Sequence, residues 1–314
     1  MQLRRALDAA IERLTATHVP SPRMNAELLI MFTLDCDRAY LYAHPERELT
    51  DDEMHCYDEA LARRSTGVPA QYITGHQEFW GMDLIVSSAV LIPRPETEHV
   101  VEAVLELVGL GDPGQSQKGD RGRRRDQDQK QNQNQRQRTG VSALHNPRIV
   151  DVGTGSGAIA LALATELPTA EIHAIDISSE ALEVARANAA RHNLTSRIEF
   201  HHADLLDGFS ADSVDFVVSN PPYVGDAEED SVQLEVRKFE PRNAVFAGPA
   251  GVEVIERLIP QALTALKPGG WLLFEISGTI AERVRPLLSG WEQITIKNDL
   301  QGIARVAVAR KPIG

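Results

Sequence analysis

Arg148-Ile149-Val150-Asp151-Val152-Gly153-Thr154-Gly155-Ser156-Gly157 runs from a short apolar segment straight into a glycine-rich turn. The first five residues have the length and β-branched character of a buried strand. The chain then alternates. A helix is expected over Ala158–Leu167, a strand over EIHAID (171–176) and a helix over Glu180–His192. Strands follow at RIEFHHAD (197–204) and DFVVS (215–219), then a helix over Val252–Leu266 and a strand at WLLFEIS (271–277). A helix over Ile280–Leu288 precedes two closing strands, WEQITIKN (291–298) and IARVAVAR (303–310). Such alternation predicts an α/β fold with a mostly parallel sheet covered on both faces. The last two strands have no helix between them, which predicts an antiparallel hairpin at the edge.

Working outward, residues 1–66 read as a small helical domain. Leu3, Ala6, Leu7, Ala10, Ile11 and Leu14 follow helical spacing. Ser21-Pro22 opens a second helix through Leu28, Leu29 and Phe32, and Thr50 with Glu53 forms a capping box before a third. Residues 67–94 carry Phe79, Trp80, Leu84, Ile85, Val86, Val90 and Leu91 among Gly75, Gly81 and Pro93, the pattern of a strand pair linking two domains. Helix returns over 95–109, opening a second domain that runs to residue 314. Residues 111–140 hold eight Gln, eight Lys or Arg and four Asp, and no hydrophobic residue. Nothing there can be buried to offset chain entropy, so an insertion at 111–147 is expected to be disordered. It carries +4 over 111–140 and leaves −17 on the rest of the chain.

Composition removes several classes. Two cysteines, Cys36 and Cys56, exclude a disulfide framework and a multi-cysteine zinc site, and suit a reducing compartment. No run approaches the roughly 18 apolar residues of a membrane span, and MQLRRALDAAIERL lacks the apolar block of a secretory leader. A cytoplasmic protein without membrane attachment is expected. The net charge of −13 makes the chain a poor non-specific phosphate binder, so stable nucleic-acid binding is not expected.

The turn Gly153–Gly157 has the chemistry of a cofactor cradle. Glycines permit positive φ and close backbone approach, and the following helix presents free N–H groups. Asp176 ends the next strand, 19 residues after Gly157, where an acid accepts hydrogen bonds from both ribose hydroxyls of an adenosine. Gly153-x-Gly155-x-x-Ala158 also satisfies the relaxed dinucleotide pattern, so this turn alone leaves a nicotinamide enzyme open. The spacing Asp151-x-Gly153-x-Gly155-x-Gly157 resembles the first motif of class I S-adenosylmethionine-dependent methyltransferases. In that class the acid lies near the methionyl end of the ligand, and Asp204-Leu205 stand where the class places its adenine contacts.

Asn220-Pro221-Pro222-Tyr223 separates the two. A strand ends in a polar side chain followed by prolines, which fix φ and remove backbone donors. The Asn220 side-chain oxygen and the Pro221 carbonyl can each accept one N–H of an incoming NH2 group, with the Tyr223 ring against its flat face. This is a receptor for a planar amide or amine. It acts by orientation, worth roughly 7–11 kcal/mol at the optimum. A nicotinamide enzyme leaves it without a purpose.

Together these residues resemble the bacterial release factor glutamine methyltransferases, the PrmC or HemK family. The resemblance covers roughly 68–110 and 148–310. It is carried by PAQYITGHQEFWG (69–81), VLIPRPETE (90–98), NPPYV (220–224), EVRKFEPRNAVFAG (235–248), LKPGGWLLFEISG (266–278) and DLQGIARVAV (299–308). It implies a Rossmann-like class I methyltransferase fold. That means a seven-stranded, mostly parallel sheet with an antiparallel last strand, and the N-terminal helices serving substrate recognition. It implies S-adenosylmethionine as cofactor, held by Gly153, Thr154, Gly155, Ser156, Gly157, Asp176, Asp204, Leu205 and Asn220, with Asn220, Pro221, Pro222 and Tyr223 as the catalytic turn. It implies peptide chain release factors as protein substrate, both class 1 factors included, methylated on the amide of a Gly-Gly-Gln glutamine. Leu205 departs from the aromatic common at its position in the family. Ribosomal-protein glutamine methylation and nucleic-acid adenine methylation are the competing activities, and a non-catalytic binding module would not need Asn220 or the glycine turn intact. Arg94 and Glu96 read as an inter-domain salt-bridge turn or as residues closing the site. His76, His201 and His202 lack ligand-like spacing, so no metal is expected.

Overall fold

A computed structural model defines the fold and describes residues 1–109 and 146–314. The expected insertion therefore lies, up to residue 145, outside the described residues. Five helices come first: α1 (Leu3–Ala16), α2 (Pro22–Leu34), α3 (Arg38–Ala43), α4 (Asp51–Ser65) and α5 (Ala70–Thr74). They close on Leu3, Leu14, Leu29, Ile30 and Tyr57, all buried. The Thr50–Glu53 capping box forms in both directions. Phe32 does not join this core. It is half exposed, because the apolar stripe of α2 is wider than the face α1 and α4 can cover.

The linking segment differs from a plain strand pair. Helix α5 occupies its start and stops at Gly75, which has φ +78°. Strands β1 (His76–Phe79) and β2 (Met82–Ile85) then form a tight antiparallel hairpin, turned by Trp80 and Gly81 at positive φ. Val90 and Leu91 fall outside any strand. The Val90 carbonyl instead accepts a bond from the Tyr72 hydroxyl at 2.6 Å. Pro93 and Pro95 cannot extend a ladder there.

After α6 (Glu98–Val108) the alternating region builds β3 (Arg148–Val152), α7 (Ala158–Glu166), β4 (Glu171–Asp176), α8 (Ser179–Arg191), β5 (Ile198–His202) and β6 (Val214–Ser219). A short strand β7 (Val224–Gly225) and helices α9 (Leu234–Phe239) and α10 (Arg242–Val245) lead to β8 (Phe246–Gly248), which pairs with β7. Then come α11 (Glu253–Ala265), β9 (Leu266–Glu275), α12 (Ala281–Leu287), β10 (Glu292–Asn298) and β11 (Ala304–Arg310). The main sheet has seven strands in the order β10-β11-β9-β6-β3-β4-β5. Only β11 runs against its neighbours.

Strand residues alternate between two cores. Ile149, Phe216 and Leu273 meet α6 and α7 on one face. Val150, Val217, Leu272 and Phe274 meet α11 and α12 on the other. The helical bundle is pinned to this body by Arg64, which is 3% exposed. Its guanidinium donates to Asn25 Oδ1 at 2.7 Å within the bundle and to Glu235 Oε2 on α9 at 2.7 Å.

Candidate active site

A cavity of about 340 Å³ opens at the C-terminal ends of β3, β4 and β6. Strand order reverses at β3, and such a reversal point is where open α/β sheets take ligands. The glycine turn forms its floor, and Asp176, Asp204, Leu205, Asn220 and Pro222 line it. From outside it is closed by residues of 89–97 and by Pro241, Asn243, Ala244 and Phe246.

The three glycines of the turn do different work. All have positive φ: +70° at Gly153, +56° at Gly155 and +84° at Gly157. A Cβ on Gly153 or Gly155 would meet nothing within 4 Å, so their faces are open for a ligand. A Cβ on Gly157 would stand 2.8 Å from Leu161 Cδ1 and 3.3 Å from Ala185 Cβ. Gly157 thus has its Cα face packed against α7 and α8, unlike the open faces of Gly153 and Gly155.

Asp151 is fully buried under this turn. Its Oδ2 accepts from Thr154 Oγ1 at 2.6 Å and from the Ala160 N–H at 3.2 Å. Its Oδ1 is buried with no partner among the described residues. Burial pushes the carboxyl up to about 7, against the pull of the Thr154 and Ala160 hydrogen bonds and with a further push from Asp176. An unpaired buried carboxylate oxygen is costly, and a cationic ligand group offsets that cost.

Asp176 accepts from the Gly155 N–H at 2.8 Å through Oδ2 and from the Ser178 N–H at 2.9 Å through Oδ1. Burial raises its pKa, and these backbone bonds oppose the rise. The backbone aims the carboxylate into the cavity, and each oxygen retains a lone pair. Asp204 is ion-paired with Arg257. Leu205 adopts φ +53° to turn its side chain toward the cavity.

The Asn220–Tyr223 turn follows β6, the strand beside β3. Ser219, at the end of β6, donates its hydroxyl to the Val152 carbonyl at 2.7 Å. Asn220 and Pro222 line the cavity, and Pro221 and Tyr223 are not among its lining residues. Asn220 Nδ2 donates to Thr97 Oγ1 at 3.0 Å. Thr97 Oγ1 donates to Glu275 Oε2 at 2.6 Å, and the Tyr223 hydroxyl donates to Glu275 Oε1 at 2.9 Å. Burial raises both the Tyr223 and the Glu275 pKa. Sequence reasoning assigned no role to Thr97 or Glu275. The available signal was the acid itself, the last residue of an otherwise apolar run, Leu272-Leu273-Phe274-Glu275.

Arg94 pairs with the buried Glu240 at 2.5 Å, and Glu240 also accepts from the Ile92 N–H at 3.1 Å. The pair ties the 89–97 wall to the Pro241–Phe246 wall. Glu96 lies 3.7 Å from Arg305. The histidines are not as isolated as their spacing indicates. His201 Nε2 sits 2.9 Å from His173 Nδ1, with Glu199 beside both. Their possible ligand atoms fall within 4.8 Å of one another. The two rings hydrogen-bond each other, and Arg148 Nε stands 3.0 Å from His173 Nε2, so the group satisfies itself as a polar network.

The fold, the reversal-point cavity and the paired turns define a class I methyltransferase that uses S-adenosylmethionine. The open faces of Gly153 and Gly155 and the unpaired Asp151 oxygen fit that cofactor. Residues 5–75 match the model for the PrmC N-terminal domain, and 139–238 match the methyltransferase small domain. The chain is 50% identical to the release factor glutamine methyltransferase of Koribacter versatilis over 99% of both chains. It is 38% identical to that of Chlorobaculum tepidum over 91% of this chain and 90% of the other. The chain belongs to the release factor glutamine methyltransferase family. The hMettl16 catalytic domain, solved with an RNA hairpin, shares the fold at 16% identity and TM-score 0.53, covering 82% of each chain. Among the described residues no helix is long and apolar enough to cross a membrane.

Proposed function

We propose that the chain methylates the side-chain amide nitrogen of the glutamine in the Gly-Gly-Gln segment of peptide chain release factors. The observation that carries this reading is the orientation of Asn220. Its nitrogen is engaged by Thr97, so its oxygen is the group left for a donor such as a substrate NH2. The Pro221 carbonyl is the second acceptor of the receptor. Gly153, Thr154, Gly155, Ser156, Gly157, Asp176, Asp204, Leu205 and Asn220 are the residues proposed to hold the cofactor, with Asp151 beneath them, and the cofactor supplies an electrophilic methyl group when bound. Asp151 Oδ1 suits its ammonium, Asp176 its ribose, and Leu205 its adenine.

A glutamine amide is a weak nucleophile, because its lone pair is delocalised into the carbonyl. Asn220 and Pro221 contribute by holding both N–H bonds and turning the nitrogen toward the methyl carbon. The nitrogen gains the methyl group and gives up one proton. An N-methylated amide cation is acidic enough to release that proton to water, so the turn needs no basic side chain.

The same reading places the protein in the cytoplasm with its substrate and includes both class 1 factors. The test is incubation with each release factor and S-adenosylmethionine, followed by intact mass and peptide mapping. A gain of one methyl group on the Gly-Gly-Gln glutamine is expected. Methyl transfer to a ribosomal protein or to nucleic acid, with none to a release factor, would overturn the reading.

A further inference from the structure

We propose that Glu275, which does not line the cavity, is the positioning residue that fixes which way round the Asn220 amide faces the substrate. This rests on the glutamine-methylation reading and adds a residue that acts through others. An asparagine amide has two nearly isosteric ends, one donor and one acceptor. If Asn220 were turned over, its NH2 would oppose the substrate NH2, donor against donor. Its contact with Thr97 does not settle the choice, because a threonine hydroxyl can give or take a hydrogen bond.

Glu275 settles it. Its Oε2 lies 2.6 Å from Thr97 Oγ1 and its Oε1 lies 2.9 Å from the Tyr223 hydroxyl. In its ionised form, which burial opposes and the Thr97 and Tyr223 hydroxyls support, the carboxylate only accepts. The single Thr97 proton is therefore committed to Glu275, and the oxygen of Thr97 is left to accept from Asn220 Nδ2 at 3.0 Å. The direction of the chain is fixed from its buried end outward: Asn220 to Thr97 to Glu275. The same carboxylate commits the Tyr223 proton, so one anion sets both side chains of the amide receptor.

Its own placement is rigid. Glu275 ends β9 and pairs with Val306 of the antiparallel strand β11. It is 2% exposed, with Arg305 and Glu96 as the nearby charges. Arg305 is in turn held by Asp299 at 2.8 Å. A carboxylate kept at this depth costs desolvation, and its hydrogen bonds terminate on Thr97, which holds Asn220, and on Tyr223 of the same turn.

The experiment compares Glu275→Gln, Thr97→Val and Thr97→Ser with the parent protein. The first readout needs no substrate: hydrogen exchange of the Asn220 side-chain amide, identified by NMR through its loss in Asn220→Ala. Exchange should quicken about tenfold in Glu275→Gln and Thr97→Val and stay slow in Thr97→Ser, which keeps the hydroxyl. The second readout is single-turnover methyl transfer with S-adenosylmethionine affinity measured alongside. Transfer should slow at least about tenfold in Glu275→Gln and Thr97→Val while affinity stays within about threefold, and Thr97→Ser should recover most of the rate. Glu275→Gln removes a buried charge and should melt no lower than the parent by more than a few degrees. Asn220 exchange unchanged in both variants, with transfer within about twofold of the parent, would overturn the proposal. A parent protein that leaves the release-factor glutamine unmethylated would overturn the functional reading instead, and the exchange data would still decide the role of Glu275.

Discussion

Asp151 and Glu275 both lie beneath the cavity, 0% and 2% exposed, and they are finished to different degrees. Glu275 has a hydroxyl on each oxygen. Asp151 has two donors on one oxygen and none on the other. The amide-receiving half of the site is complete before any ligand arrives, whereas the cofactor half lacks one hydrogen-bond partner. The comparison teaches how the site divides its tasks. A receptor that works by orientation needs its polarity set in advance. A cofactor pocket can leave a group unsatisfied and recover the cost on binding.

The largest expected effect tests the completed half. Asn220→Ala should slow methyl transfer about 10²–10³-fold, the usual loss for one preorganised polar contact. S-adenosylmethionine affinity, read by calorimetry, should change only a few-fold. A parallel fall in both would erase the distinction between the two halves.

Next comes the unfinished half. Asp151→Asn should weaken S-adenosylmethionine binding about 10–100-fold, the loss of one charge-assisted hydrogen bond. Its pH dependence follows from burial, which lifts this carboxyl from 3.8 to about 7. The folded chain keeps a proton that the unfolded chain gives up over that interval, so this group makes stability fall as pH rises from 3.8 to about 7. Asp176, Glu240 and Glu275 are raised too and act in the same direction. The diagnostic is therefore a smaller decline in melting temperature for Asp151→Asn than for the parent. Cofactor affinity should climb toward pH 7 in the parent and flatten in the variant.

A finer contrast lies within the glycine turn. Gly157→Ala should cost about 1–3 kcal/mol of stability by overpacking, since its Cβ would meet Leu161 and Ala185. Gly155→Ala meets open space, so it carries only the positive-φ strain, about 1–2 kcal/mol, without the clash, and should add weaker cofactor binding. Thermal melts with and without S-adenosylmethionine separate the two, and equal melting shifts would sink the assignment. The smallest effect is expected from Tyr223→Phe. It keeps the ring but deprives Glu275 Oε1 of its donor, so transfer should slow about two- to tenfold. A rate equal to the parent's would show that the hydroxyl contributes nothing to the receptor.

The sequence made the local parts of this design visible. The glycine turn and Asn220-Pro221-Pro222-Tyr223 are contiguous, and each sits where an apolar strand stops. Their neighbourhood could be inferred because consecutive strand–helix units generate a parallel sheet. Thr97 and Glu275 were not legible as partners: 178 residues separate them, and only the strand order brings them together. The same holds for His173 and His201, joined across adjacent strands β4 and β5. At Gly157 spacing records that a glycine is needed, and the structure adds that Leu161 and Ala185 approach it. Phe32 lies in the helix the sequence predicts and is nonetheless half exposed, because periodicity gives the width of an apolar stripe and not the area its neighbours can cover.

Strands β3 and β6 are direct neighbours, joined at Val152 and Ser219 and tied again by the Ser219 hydroxyl. The donor cradle and the acceptor turn are therefore held apart by one interstrand step, about 4.8 Å. That interval is a ruler written in backbone hydrogen bonds, and no side-chain substitution resets it. The walls at 89–97 and 241–246 come from elsewhere in the chain. Those walls can be exchanged while the spacing of the two strands stays as it is.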